Sequence, residues 1–187
     1  MSLLAELLTQ RVADRLEKLA EENAEKYPTN SPFPHIVIDN FLPEELVQPV
    51  LDPFPDPEKL KWIKFNNPDE KKLAFNSVEK LPDVPRDMLL FLNSSPVLQF
   101  LERMTGISGL VGDPYYVGGG LHQIERGGKL EVHADFNTHE QLNLDRRLNL
   151  LLYLNKDWQE DFGGHLQLWN LEMTHAEKKV LPIFNRC

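Results

Sequence analysis

The chain has 187 residues, 41% of them hydrophobic, and a formal net charge of -9 at pH 7. This length suits one domain with its own core, and the negative charge argues against binding to nucleic acid or to an anionic membrane, since both require a basic surface. The single cysteine, Cys187, excludes an internal disulfide and fits a reducing compartment. Because no apolar run is long enough to cross a membrane and the first residues lack a secretory pattern, we expect a cytoplasmic protein.

The first part of the chain predicts packing elements. Leucine and valine residues spaced three or four apart predict an amphipathic helix over Leu3–Lys26, and Tyr27-Pro28 ends it. Its apolar stripe is typical of a core or dimer face. A strand is predicted over His35–Leu42, with Asp39 as a turn former, and a helix begins at Pro43, since proline is favoured in a first turn.

The middle of the chain carries no pattern that indicates chemistry. One short strand is predicted around Trp62–Phe65, in a segment that is otherwise rich in proline and charge. Two helical stretches are predicted within Val84–Thr105, separated at Ser95-Pro96, where a cap and a first-turn proline coincide. The glycines Gly118–Gly120 precede a strand over Leu121–Glu125. They are not a phosphate-binding loop, because they lack the Lys-Ser/Thr pair and the following helix.

The stretch Leu130–Phe136 carries the candidate chemistry, and a glycine-containing turn at Arg126–Lys129 leads into it. Apolar residues alternate there with Glu131, His133 and Asp135, which predicts a strand with the last two side chains on one face. An imidazole and a carboxylate at this spacing can bind one metal ion, and they are two of the three ligands used by non-haem Fe(II) oxygenases. We expect both side chains to face the interior, close enough to share the ion. A chance His-x-Asp on a solvent-facing strand is the alternative.

Two more strands follow. Arg146–Asn155 has leucine at every even position from Leu148 to Leu154, which predicts a buried face. The opposite, mixed face consists of Arg147, Asn149, Leu151 and Tyr153. A mixed face beside an apolar one is typical of a strand that lines a small pocket. After a turn, Gly163-Gly164 opens a third strand over His165–Trp169.

In this order, these motifs resemble the prolyl-4-hydroxylase-like branch of the 2-oxoglutarate and Fe(II)-dependent oxygenases, a double-stranded β-helix (jelly-roll) family. Tyr153–Trp158, with the sequence YLNKDW, is very similar to the corresponding stretch of the animal oxygen-sensing prolyl hydroxylases. The resemblance begins near Phe33 and is strongest over Leu121–Trp169. It implies one domain of α+β, mainly β structure. The expected parts are an N-terminal helix over 1–27, a strand and buttress helices over 33–110, and a jelly-roll core over 111–187.

The resemblance also implies the reaction and the residues that carry it. His133 and Asp135 are expected to be catalytic and to bind Fe(II), with 2-oxoglutarate as cosubstrate and ascorbate as reductant, while an aliphatic C–H is hydroxylated. By position, Tyr153 matches the tyrosine that helps to hold the distal carboxylate of 2-oxoglutarate. Leu151 is expected to pack along its carbon chain. Gln123 falls at a cosubstrate position where the oxygen-sensing enzymes have a tyrosine.

Two parts of the family site lie outside this sequence. In the family, a turn like Pro182–Arg186 leads to a strand with the distal histidine and then to a basic residue that pairs with 2-oxoglutarate, whereas this sequence stops at Cys187. We therefore expect a C-terminally incomplete jelly roll that binds iron weakly if at all, turns over no 2-oxoglutarate as it stands, and, because a sheet edge is left unpaired, tends to form oligomers or to rely on a partner. The alternative is a non-catalytic, metal-free jelly-roll module that acts in binding or assembly.

The remaining histidines are assigned to packing or to solvent. His122 is predicted to have a packing or surface role, and His139 and His175 are predicted to be solvated. His165, which follows two glycines, is a minor candidate for a ligand. The substrate is expected to be a small molecule or a peptidyl residue, chosen by the loops over 113–120 and 137–144, since specificity residues concentrate on loops.

Overall fold

The computed structural model describes residues 1–187 and has α+β structure. Its five helices are α1 (Leu3–Leu7), α2 (Gln10–Asn23), α3 (Glu44–Leu51), α4 (Asp83–Leu92) and α5 (Ser95–Thr105). Its eight strands are β1 (Ile63–Asn66), β2 (Glu70–Phe75), β3 (Leu121–Gln123), β4 (Lys129–Leu130), β5 (Thr138–His139), β6 (Leu144–Asp145), β7 (Leu166–Trp169) and β8 (Ala176–Val180). No helix has both the length and the apolar character needed to span a membrane. The α+β class is confirmed, but helices hold more residues than strands, so the expectation of a mainly β fold is wrong.

The helices form one apolar core. α1 and α2 cover most of the predicted first helix, which is interrupted at Leu8 and Thr9. α1 packs against α4, and α2 packs against α5. The two helices predicted within Val84–Thr105 are confirmed as α4 and α5, and Ser94 is the N-cap residue of α5. The fully buried members of this core include Leu7, Val12, Leu16, Phe41, Leu42, Val47, Val50, Phe91 and Val97.

The strands form three separate antiparallel sheets. In the largest, β2 pairs with β1 along one edge and with β3 and β4 along the other. β5 pairs with β6, and β7 pairs with β8. The predicted strands near Trp62–Phe65 and His165–Trp169 are confirmed as β1 and β7, whereas β2 and β8 were not predicted. The three sheets are short and separate, so a jelly roll is not confirmed.

The predicted strand over Leu130–Phe136 is largely wrong. Only Lys129–Leu130 joins a ladder, with β2, and residues 131–136 have no strand partner. The predicted turn does not reverse the chain either, because β3 and β4 both run antiparallel to β2, with residues 124–128 looped out between them. A strand exists only where a neighbour pairs its backbone groups, and alternation alone does not supply that neighbour.

The segment over residues 146–155 is not a continuous strand, and only Asn155 forms a β-bridge, with Ile183. Its backbone pairs with the last residues of the sequence: the Tyr153 amide donates to the Arg186 carbonyl at 2.9 Å, and the Asn185 amide donates to the Tyr153 carbonyl at 2.8 Å. The predicted buried leucine face is only partly formed: Leu150, Leu152 and Leu154 are partly buried and pack against the helical core, and Leu148 is not among the residues packed there.

The predicted strand over His35–Leu42 is also replaced by isolated pairing. Ile38 and Cys187 exchange two backbone hydrogen bonds, at 2.8 and 2.9 Å. Asp39, predicted as a turn former, binds the guanidinium of Arg186 through both carboxylate oxygens, at 2.5 and 3.0 Å. This ion pair lowers the pKa of Asp39. The first extended segment and the last residues therefore hold each other in place beside the helical core.

Candidate metal centre

The structure brings His133 and Asp135 together. Nε2 of His133 lies 3.6 Å from Oδ1 of Asp135. Nitrogen and oxygen donors bind first-row divalent ions at about 2.0–2.2 Å, so two donors of one ion lie at most about 4.4 Å apart. The two side chains are 47% and 45% exposed. They can share an ion, but at the surface and not in an interior as expected, because residues 131–136 belong to no sheet.

The imidazole of His133 is oriented by a backbone group two residues earlier in the chain. Nδ1 lies 2.7 Å from the carbonyl oxygen of Glu131. Since a carbonyl only accepts, Nδ1 carries the proton in this hydrogen bond, and the lone pair remains on Nε2. Such a hydrogen bond to the second nitrogen is the usual way in which proteins orient a metal-binding histidine. Nε2, the atom that faces Asp135, therefore has a free lone pair with which it can bind a metal ion.

The second oxygen of Asp135 is already occupied. Oδ2 accepts a hydrogen bond from Nδ2 of Asn149 at 3.1 Å and lies 3.3 Å from Nη2 of Arg146. Nη2 of Arg146 also donates to Oδ1 of Asn149 at 2.9 Å, and its guanidinium lies 4.4 Å from the ring centroid of Phe136. These contacts hold the carboxylate so that Oδ1 is left to face His133. Sequence reasoning placed Asn149 on the pocket face but did not select Arg146.

A charged pair on the central strand lies close to the same histidine. The ammonium of Lys72 lies 3.0 Å from a carboxylate oxygen of Glu70. The pKa of Glu70 is lowered, mainly by its hydrogen bond to Lys72 and to a smaller extent by nearby His133. His122, on β3, is exposed, and desolvation by its neighbours together with Lys72 lowers its pKa.

The structure does not join the predicted cosubstrate residues to this pair. No hydrogen bond links Gln123, Leu151 or Tyr153 to His133 or Asp135. Burial raises the pKa of Tyr153 to about 12, so its hydroxyl stays protonated at neutral pH and is available as a donor. Leu151 is partly exposed. The side-chain oxygen of Gln123 is buried without a hydrogen-bond partner, which leaves an acceptor free on β3.

The other histidines do not supply a third ligand. His139 is buried and bound to Asp113, so the prediction that it is solvated is wrong. His165 lies 2.9 Å from a carboxylate oxygen of Glu160. His175 is exposed, as predicted. Within residues 1–187, no three His, Cys, Asp or Glu side chains are arranged to hold one ion.

A comparison with protein-family models matches residues 119–187 to the 2OG-Fe(II) oxygenase superfamily. This range contains every residue singled out above as a metal or cosubstrate candidate. The match supports a dioxygenase-type domain in this part of the chain and, with it, Fe(II) and 2-oxoglutarate as the general cofactor and cosubstrate. It does not confirm the prolyl-4-hydroxylase-like branch. No solved structure matches the chain.

The contacts of Asp135 predict the effect of removing Arg146. We expect Arg146→Ala to weaken metal binding by about 10- to 100-fold, the usual cost of losing a partner that orients a ligand. The measurement is a Mn(II) titration followed by electron paramagnetic resonance. Arg147→Ala is the matched control, because Arg147 is adjacent and exposed and has no hydrogen bond to Asp135. Equal losses in the two variants would refute the role of Arg146.

Proposed function

We propose that the chain provides the metal-binding part of a non-haem Fe(II)- and 2-oxoglutarate-dependent oxygenase that hydroxylates an aliphatic C–H, with a small molecule or a peptidyl residue as substrate. One observation carries the proposal: Nε2 of His133 and Oδ1 of Asp135 face each other, and the other polar atom of each side chain is bound elsewhere. The family match over the same residues supports this reading. A prolyl-hydroxylase-like substrate rests on the similarity of the YLNKDW stretch.

The donor set fits a first-row divalent ion that accepts nitrogen and oxygen ligands. His133 would hold the ion through Nε2, and Asp135 through Oδ1. Bound iron with 2-oxoglutarate activates O₂ for hydroxylation of a C–H as 2-oxoglutarate is converted to succinate and CO₂. Arg146 and Asn149 would keep the carboxylate from rotating, and the Glu131 carbonyl would keep the imidazole in the ligating tautomer.

Tyr153 is proposed to hold the distal carboxylate of 2-oxoglutarate. Its hydroxyl is protonated at neutral pH, and burial raises its pKa further, to about 12. Replacement of Tyr153 by Phe removes one hydrogen bond to a charged group, so we expect the apparent affinity for 2-oxoglutarate to fall by an amount equivalent to about 1.5–3 kcal/mol. The measurement is the 2-oxoglutarate concentration dependence of succinate release. An unchanged dependence would remove Tyr153 from the site and leave the metal centre intact.

The oxygenase proposal is tested by succinate release from 2-oxoglutarate with Fe(II) and ascorbate. The assay compares the 187-residue chain with a form extended beyond Cys187. We expect metal-dependent succinate formation in a form that supplies a third ligand and a basic partner for 2-oxoglutarate, and none after His133→Ala in that form. Succinate formation that survives His133→Ala would contradict the proposal. Specific binding of a ligand without metal or turnover would favour the non-catalytic module.

A further inference from the structure

Asp113 and His139 join the two loops expected to choose the substrate. His139 is 8% exposed and is the single buried histidine. Its Nε2 lies 3.2 Å from Oδ1 of Asp113, and its Nδ1 accepts a hydrogen bond from the Leu142 amide at 3.2 Å. Since Nδ1 accepts, the proton is on Nε2, which donates to the carboxylate. Both ring nitrogens are therefore satisfied in one tautomer.

The same carboxylate organises the loop that precedes the triple glycine. Oδ1 of Asp113 accepts from the Tyr115 amide at 2.8 Å, and Oδ2 accepts from the Val117 amide at 2.6 Å. The carbonyl of Asp113 accepts from Asn93, at the end of α4, at 2.8 Å. Asp113 thus ties one loop to the helical core and, through His139, to the β5–β6 hairpin.

Both loops reach the partners of Asp135. At Gly118 a Cβ atom would lie 3.1 Å from the ring of Phe136 and 3.9 Å from Nη1 of Arg146, so this loop lies against Arg146, which supports the carboxylate, and against the ring that Arg146 covers. The Arg146 amide donates to the Asn137 carbonyl at 2.7 Å, immediately beyond β6. The contacts therefore run from the helical core through Asp113 and His139 to Arg146 and Asp135.

We propose that His139 is a positioning residue, which through Asp113 fixes the two loops and keeps Arg146 on the Asp135 carboxylate. The part of this inference that concerns metal binding rests on the proposed function. The role is distinct from ligation, since both nitrogens of His139 are already bound within the protein. Its loss should loosen residues 113–120 and the Arg146 amide together, although these lie on different segments.

Hydrogen exchange on the metal-free protein tests the link directly. His139→Phe keeps a ring of similar volume but removes both polar contacts, so we expect exchange in residues 113–120 and at the Arg146 amide to accelerate by about 3- to 10-fold. His139→Gln, whose amide can still donate to Asp113, should exchange like the parent. His165→Phe is the matched control, because it breaks another histidine–carboxylate pair, with Glu160, outside these loops.

The outcomes separate the possibilities. If hydrogen exchange in His139→Phe is faster only in residues 137–142, or is not faster anywhere, the inference is overturned. If hydrogen exchange in His139→Phe is also fast in α2 and α5, that variant has unfolded, and His139→Gln is measured instead. Fast exchange of the two loops in His139→Gln, with the helices still protected, overturns the proposal. Exchange at the rate of the parent supports it.

Metal affinity separates this inference from the proposed function. If the parent binds Mn(II), His139→Phe should weaken binding on the order of tenfold, the low end for loss of an orienting partner, and His139→Gln should restore it. Equal affinity in parent and His139→Phe overturns the positioning role while the metal centre stands. If the parent binds no Mn(II), the proposed function fails, and the exchange measurement still decides whether His139 holds the loops.

Discussion

Replacing Asp135 by alanine should abolish specific metal binding, and so should replacing His133. Each variant leaves one donor where two faced each other 3.6 Å apart. We expect the affinity for Mn(II), an ion that favours oxygen ligands, to fall by more than about 100-fold, since loss of an orienting partner alone costs up to that amount. Isothermal titration with Mn(II) measures the affinity. His175→Ala is the control, because His175 is exposed and remote in sequence.

The alternative outcome is equally informative. If both variants bind Mn(II) as the parent does, the ion lies elsewhere on this acidic chain, and the proposed function loses its supporting observation. If only Asp135→Ala loses binding, the carboxylate acts without the imidazole. Because both residues are near the surface and outside the apolar cores, their replacement should not alter the free energy of unfolding by more than about 0.5 kcal/mol.

Replacing Asn185 by alanine should cause a large loss of stability. Asn185 is 2% exposed, and its side chain accepts from the Leu42 amide at 3.0 Å and donates to the Leu42 carbonyl at 2.7 Å. Leu42 is itself buried. Two buried backbone groups would lose their partners at about 1–3 kcal/mol each, so we expect a destabilisation of about 2–6 kcal/mol. Urea unfolding followed by circular dichroism measures it.

A second variant separates the hydrogen bonds from the backbone conformation. Asn185 has a φ of 60, in the left-handed region where alanine is disfavoured. Asn185→Gly removes the same side-chain contacts without that cost, so it should be more stable than Asn185→Ala by roughly 1 kcal/mol. A loss below about 1 kcal/mol in both variants would show that Leu42 is not held by this side chain.

The helical part of the fold was predictable because its signals are local. The apolar residues of α1 and α2 recur every three or four positions. The boundary between α4 and α5 is marked by a capping serine and a proline within a few positions. The strands were less predictable, since a strand depends on a neighbour that is distant in sequence. β2 pairs with residues about fifty positions later, while Leu130–Phe136 has the right alternation and almost no partner.

The same distinction applies to the site. His133 and Asp135 could be selected because their spacing lies within three residues. Arg146 could not be distinguished from Arg147, since its contact with Asp135 depends on how the β5–β6 hairpin folds back. His139 looked solvated among Thr138 and Glu140, and its hydrogen-bond partner, Asp113, lies twenty-six residues earlier. A sequence pattern does not contain that pairing.

The most direct test of the metal centre is a crystal of the chain soaked with Mn(II), with anomalous differences measured at a wavelength where manganese scatters. We predict a peak within about 2.2 Å of both Nε2 of His133 and Oδ1 of Asp135, with Oδ2 still bound to Asn149 and Arg146. A peak at another cluster of carboxylates, or none near these two atoms at saturating Mn(II), would contradict it.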